Sequence, residues 1–135
     1  MKTYLAIDIG ASSGRHIVSW LEDGKIETRE VYRFPNGADM KNGHLCWDIE
    51  ALERHVVAGL KAAKEQGYAP SSIGIDTWAV DFILLDKQGK RLGDAVAYRD
   101  SRTAGMDTEL EKTLPSKTTF PCAASPSSPS TPCIR

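Results

Sequence analysis

The chain has 135 residues, of which 41% are hydrophobic and 26% charged, and its formal net charge is −1. That length and mixture support one buried core and exclude wholesale disorder. The near-neutral balance excludes a nucleic-acid surface held by bulk charge, and no apolar run is long enough to span a membrane.

In chain order, Tyr4–Ile9 reads as a buried strand interrupted by Asp8. Gly10–Gly14 is a turn, and His16–Leu21 a second strand. Asp23-Gly24 predicts a tight hairpin into a return strand, Lys25–Phe34. Pro35-Asn36-Gly37 and Asn42-Gly43 predict a loop. Cys46 and Trp47 are expected to pack ahead of a helix capped by Asp48. Ile49, Leu52, Val56, Leu60 and Ala63 fall on one stripe of that helix, and His55 is expected on its surface. Gly67 and Pro70 end it. Ser72–Thr77 and Ala79–Leu85 read as strands, and Asp86–Gly89 turns the chain toward a last strand, Ala95–Tyr98. The order β-β-β-α-β-β-β predicts an α/β fold. It opens like a ribonuclease-H-like half: three meandering strands, a crossover helix, and a strand returning beside the first.

The composition breaks at Pro115. Residues 115–135 contain five of the seven prolines and no acid, so neither helix nor ladder can propagate, and a disordered tail is expected. Residues 1–114 carry fifteen basic and eighteen acidic side chains and are mildly acidic. Cys46, Cys122 and Cys133 are too few for a disulfide framework and lack paired ligand spacing. The N-terminus makes a poor signal peptide, because its short apolar run meets Asp8. A cytoplasmic protein with neither membrane nor nucleic-acid partner is expected.

Three clusters carry chemistry. Asp8 lies inside an apolar strand, where a carboxylate is costly unless paired or near a metal. Gly10–Gly14 follows at once; its amides and hydroxyls can surround phosphate oxygens, and Arg15 adds a fixed positive charge. Asp8 would then hold Mg²⁺ through water while residues 10–15 hold a polyphosphate. The plainer reading is a tight hairpin capped by Asp8. In the second cluster, Asp76, Trp78 and Asp81 end a strand and begin the next, offering an apolar ring and acids to a sugar. The same residues are also consistent with a core tryptophan and a turn. The third, Tyr98-Arg99-Asp100-Ser101-Arg102, alternates charge and reads by itself as a solvated turn.

DIGASSGR (8–15), GIDTWAVDF (74–82), AYRDSRT (97–103) and the loop NGADMKNGHLCWDIEAL resemble the N-terminal domain of the rhamnulokinases. These are sugar kinases whose fold is shared with hexokinase, actin and heat-shock chaperones. The resemblance covers about residues 3 to 112. It implies ATP- and Mg²⁺-dependent phosphorylation of L-rhamnulose at its 1-hydroxyl, in rhamnose breakdown. Carried over, Ala11, Ser12, Ser13, Gly14 and Arg15 form the ATP phosphate loop and Asp8 is the metal-proximal acid. Asp76, Trp78, Ala79, Asp81, Arg99 and Asp100 fall on the sugar side. Ala79 replaces a glycine usual in the family, so its methyl is expected to crowd the sugar.

In the family a second domain follows and carries the catalytic base. No catalytic residue is therefore expected in this chain, and the chain alone is expected to be inactive. The tail is expected to resemble nothing in the family and reads like a shifted frame. Two other readings remain: a truncated, non-catalytic nucleotide-binding domain, and a ribonuclease-H-like nuclease with two metals among Asp8, Asp76 and Glu50 or Glu53.

Overall fold

The computed structural model describes residues 2–113. They divide into two compact units. The first holds residues up to Asp39 together with Trp47–Ala79, and the second Met40–Cys46 and the described residues from Val80 onward.

In the first unit, β1 (Thr3–Ile9), β2 (Ser13–Glu22) and β3 (Lys25–Pro35) form an antiparallel meander. Asp23 and Gly24 both take positive φ, the conformation a two-residue hairpin requires. Helix α1 (Ile49–Glu65) then crosses over, and β6 (Ile73–Thr77) returns parallel to β1. The sheet order is β3-β2-β1-β6, as the ribonuclease-H-like reading expects.

Alternation fixes the core. Thr3, Leu5, Ile7 and Ile9 of β1 are buried, with Val18, Val31 and Phe34 from β2 and β3. Each large apolar side chain buried here contributes on the order of 1.5–3 kcal/mol. Asp48 caps α1 by accepting from the Ala51 N–H (2.9 Å), and Leu52, Val56, Leu60 and buried Ala63 lay the apolar stripe on this cluster. At the other end Gly67 takes φ +85°.

After β3, the region read as a loop is a hairpin, β4 (Ala38–Lys41) and β5 (His44–Trp47), turned by Asn42 and Gly43 at positive φ. β7 (Ala95–Val96) pairs with β5. A 3-10 turn (Ser101–Thr103) and helix α2 (Met106–Thr113) follow. The expected strand Ala79–Leu85 does not form. Phe82, Leu84 and Leu85 are exposed, and only a single bridge, Leu85 to Arg91, ties the segment to a turn closed by Asp86. An apolar run without a partner strand among the described residues has no ladder to join. The expected tail, 115–135, lies outside the described residues.

Candidate functional site

The alternation that buries Ile7 and Ile9 puts Asp8 on the opposite face of the sheet. Its register partners are Asp76 on parallel β6 and Arg15 on antiparallel β2, and Arg15 in turn pairs with Arg33 on β3. A row of charged residues therefore crosses the sheet, acidic on β6 and β1, basic on β2 and β3. Arg15 donates through Nε to Asp8 Oδ2 (2.9 Å), and its Nη2 lies 2.9 Å from the same oxygen. Both side chains stay nearly half exposed. Arg33 donates through Nε to Glu30 Oε1 (2.9 Å), and this bond holds the Glu30 carboxyl below its ordinary range. Mg²⁺ takes one or two carboxylates and keeps waters and phosphate oxygens as its other ligands, so the neighbouring pair Asp8 and Asp76 fits it. Among the described residues no three His, Cys, Asp or Glu side chains cluster to hold a metal. Glu50 and Glu53, which the nuclease reading joins to Asp8 and Asp76, form no such cluster with them among the described residues.

The turn after Asp8 is closed on itself at its base. The Gly10 N–H donates to Ser13 O (3.0 Å), the Asn36 N–H to Ser12 O (3.0 Å), and Asn36 Nδ2 to Gly10 O (2.8 Å). Asn36 is a residue that sequence reasoning placed in a loop without a role. Ala11, Ser12 and Ser13 form the accessible tip, and among the described residues the amides of Ala11 and Ser12 donate to no backbone carbonyl. Gly14 is buried, and a Cβ there would lie 2.1 Å from the Phe34 ring, so packing also demands glycine at this position.

Asp76 is exposed at the end of β6. Trp78 is half-buried, packed on the core cluster with its ring centroid 4.3 Å from that of Trp47. Ala79 is exposed, and the next residue, Val80, has φ +73°, a conformation that strains a β-branched side chain.

In the second unit Asp81 is half-buried, and exposed Arg99 stacks over its neighbour Tyr98 (5.3 Å). Asp100 is buried and occupied. Oδ2 accepts from the Leu45 N–H (2.7 Å), and Oδ1 from the Arg102 N–H (3.0 Å) with His44 Nδ1 at 3.1 Å. The Leu45 amide, the largest cause, and the other donors lower its pKa to about 2. Its geometry is that of a carboxylate tying β5 to the 3-10 turn.

His55 also differs from expectation, and His16 has a packing role that the sequence reading did not assign. His16 is fully buried, its Nε2 3.2 Å from Val56 O and its Nδ1 without a partner among the described residues. Burial pushes its pKa down. His55 is half-buried rather than on the helix surface; it stacks on Phe34 (4.3 Å) with Nδ1 2.9 Å from Tyr32 Oη. Gly59 makes room for His16, since a Cβ there would lie 2.3 Å from the imidazole. The only sequence signal was the spacing of His55 one residue before Val56 on the apolar stripe.

Comparison with known proteins places this geometry. The FGGY family of carbohydrate kinases, N-terminal domain, matches residues 3–134. That match runs into the proline-rich stretch, whereas the pairwise matches to the relatives below cover 78% and 82% of this chain. A rhamnulokinase of Oceanobacillus iheyensis is 53% identical over 106 residues, 78% of this chain and 23% of the relative. A rhamnulokinase of Bacillus subtilis is 49% identical over 111 residues, 82% of this chain and 23% of the relative. The chain thus spans about a quarter of the length of the curated relatives it matches. Among solved structures, a xylulose kinase from Rhodospirillum rubrum superposes with a TM-score of 0.66 at 22% identity, covering 86% of this chain and 25% of the other. A gluconate kinase from Lactobacillus acidophilus gives 0.69 at 11% identity, covering 89% and 24%. Both likenesses are of fold. No helix among the described residues is long and apolar enough to cross a membrane.

Proposed function

Because the chain belongs to the FGGY family of carbohydrate kinases, we propose that it is the nucleotide-side segment of a cytoplasmic kinase that phosphorylates L-rhamnulose at its 1-hydroxyl with ATP and Mg²⁺. The supporting observation is the pairing of Asp8 with Asp76 at strand ends directly before the Ala11–Ser13 tip. Asp8, with Asp76 beside it, holds the hydrated metal. The amides and hydroxyls of Ala11, Ser12 and Ser13 take phosphate oxygens. Arg15, already oriented by Asp8, turns its remaining N–H groups to the same anion. Magnesium, when bound with ATP, neutralises charge developing on the transferred phosphoryl group. By the resemblance, Asp76, Trp78 and Ala79 are the sugar-side residues of the first unit. The choice of L-rhamnulose rests on the two rhamnulokinase relatives. The chain alone binds nucleotide without turnover, since phosphoryl transfer needs donor and acceptor held in line with water excluded.

The test is a chimera in which residues 3–113 of this chain replace the matching segment of the Bacillus subtilis rhamnulokinase. L-Rhamnulose-dependent ADP release by the chimera, and none by the 135-residue chain alone, is the expected result. A folded chimera that binds ATP and ignores L-rhamnulose would overturn the substrate assignment.

A further inference from the structure

The turn after Asp8 is tied down by a residue to which the kinase reading gives no part. Phe34, 2% exposed, sits in the core cluster against Gly14. Pro35 ends β3 with its φ locked by the ring, so the chain leaves the core in one direction. Asn36 comes next. Its N–H donates to Ser12 O (3.0 Å), one step beyond the Ser13–Pro35 register pair. Its Nδ2 donates to Gly10 O (2.8 Å). Its Oδ1 accepts from the Gly37 N–H (2.9 Å), which fixes the end of the amide that faces Gly10. One half-buried residue therefore grips both legs of the turn, through its backbone and its side chain.

The polarity of the turn follows from these bonds. A carbonyl oxygen that faces an anion repels it, whereas an N–H attracts it. Of the four carbonyls in Gly10–Ser13, three are occupied: Gly10 O and Ser12 O by Asn36, and Ser13 O by the Gly10 N–H (3.0 Å). The amides of Ala11 and Ser12 donate to no backbone carbonyl among the described residues. Successive N–H groups left in this way make an anion-binding concavity.

We propose that Asn36 is a positioning residue for phosphate: its two bonds draw the Gly10 and Ser12 carbonyls away from the tip and hold the Ala11 and Ser12 amides toward the anion. This role rests on the nucleotide reading above, and Asn36 itself touches no substrate. Only an amide serves here. Aspartate has the same shape, but when ionised it is acceptor-only; it sets a carboxylate oxygen against Gly10 O and a negative charge beside the phosphate. Alanine keeps the backbone bond to Ser12 O and deprives Gly10 O of the Asn36 side chain.

The test is made on the 135-residue chain. Affinities for Mg·ATP and for Mg·tripolyphosphate are read by calorimetric titration, the melting temperature by circular dichroism, and order in the turn by amide exchange at Gly10. Asn36→Ala is expected to speed exchange at Gly10 and to weaken both ligands by about tenfold, the cost of one acceptor losing its donor. Asn36→Asp is expected to weaken both further. Equal losses for the two ligands locate the effect at the phosphates. Thr28→Ala, an exposed site elsewhere on β3, changes neither affinity. An unaltered chain that takes neither ligand overturns the nucleotide reading and this role with it. An unaltered chain that binds both, with folded Asn36 variants that bind equally well, overturns the role alone. So does unchanged exchange at Gly10 in Asn36→Ala, or loss of the fold in both variants, which makes Asn36 a purely structural residue.

Discussion

Asp8 and Asp76 are register partners on parallel strands, and Arg15 closes on Asp8 from the other neighbouring strand. One carboxylate is thus neutralised within the sheet and its neighbour is left beside it. The proposed function uses this arrangement to hold a cation beside Arg15, whose remaining N–H groups meet an anion. The pair is solvent-accessible, so its ion pair contributes at most about 1 kcal/mol to stability. Asp8→Asn is therefore expected to leave the melting temperature nearly unchanged and to weaken Mg·ATP binding about tenfold, read by calorimetric titration. Loss of the fold with no separate change in nucleotide affinity would contradict the assignment.

His16 makes stability depend on pH. Burial lowers its folded pKa below the ordinary value near 6.5, so the unfolded chain binds a proton that the folded chain refuses. Stability from this source is complete above about pH 6.5 and is lost as the solution is acidified through that value toward the lower folded pKa. Denaturant midpoints at pH 7.5 and pH 5.5 are expected to show the loss. In His16→Leu, which keeps apolar volume and removes the unpartnered Nδ1, the difference should shrink.

Gly59 sets a second expectation against helix propensity. Alanine is better than glycine inside a helix by about 1 kcal/mol. Here its methyl would enter the His16 ring, and overpacking costs roughly 1–3 kcal/mol. Gly59→Ala is expected to lower the unfolding midpoint, and adding His16→Ala should restore part of it. A stabilised single variant would show that the imidazole moves freely.

Asp100 is expected to govern order in the second unit. Asp100→Asn keeps the shape and removes the charge that accepts from Leu45 and Arg102. Amide exchange at Leu45 and Arg102 should accelerate, with β1 unaffected. Because the folded pKa is depressed to about 2, the wild-type contribution is full above about pH 4 and fades as pH falls toward 2.

Much of the first unit was legible because local chemistry and long-range pattern agree there. Asp23-Gly24, the Asp48 cap and the Leu52–Ala63 stripe each specify one geometry, and the structure adopts it. The acid-tipped strands around Asp8 and Asp76 were legible for the same reason: a charge inside an apolar run demands a site. Elsewhere sequence and context part. Phe82–Leu85 has a strand's composition but only one bridging partner, at Arg91. β4 and β5 are four residues each, too short for alternation to show, although Asn42-Gly43 carried the hairpin signal. His55 was misjudged, and the packing roles of His16, Gly14 and Gly59 went unread, because these roles are set by complementary shapes 20 to 43 residues away in sequence, as His16 meets Gly59 and Gly14 meets Phe34.

The parallel pairing of β1 with β6 also sets an order of folding. Hairpins β1–β2 and β2–β3 are closed by neighbours and can form while the chain is being made. Leu5 must wait for Ile73, across a loop that includes all of α1, and such distant closures are slow. During synthesis the inner side of the first strand therefore stays unzipped until the helix has emerged and docked, and that interval is when a nascent chain is most in need of a chaperone.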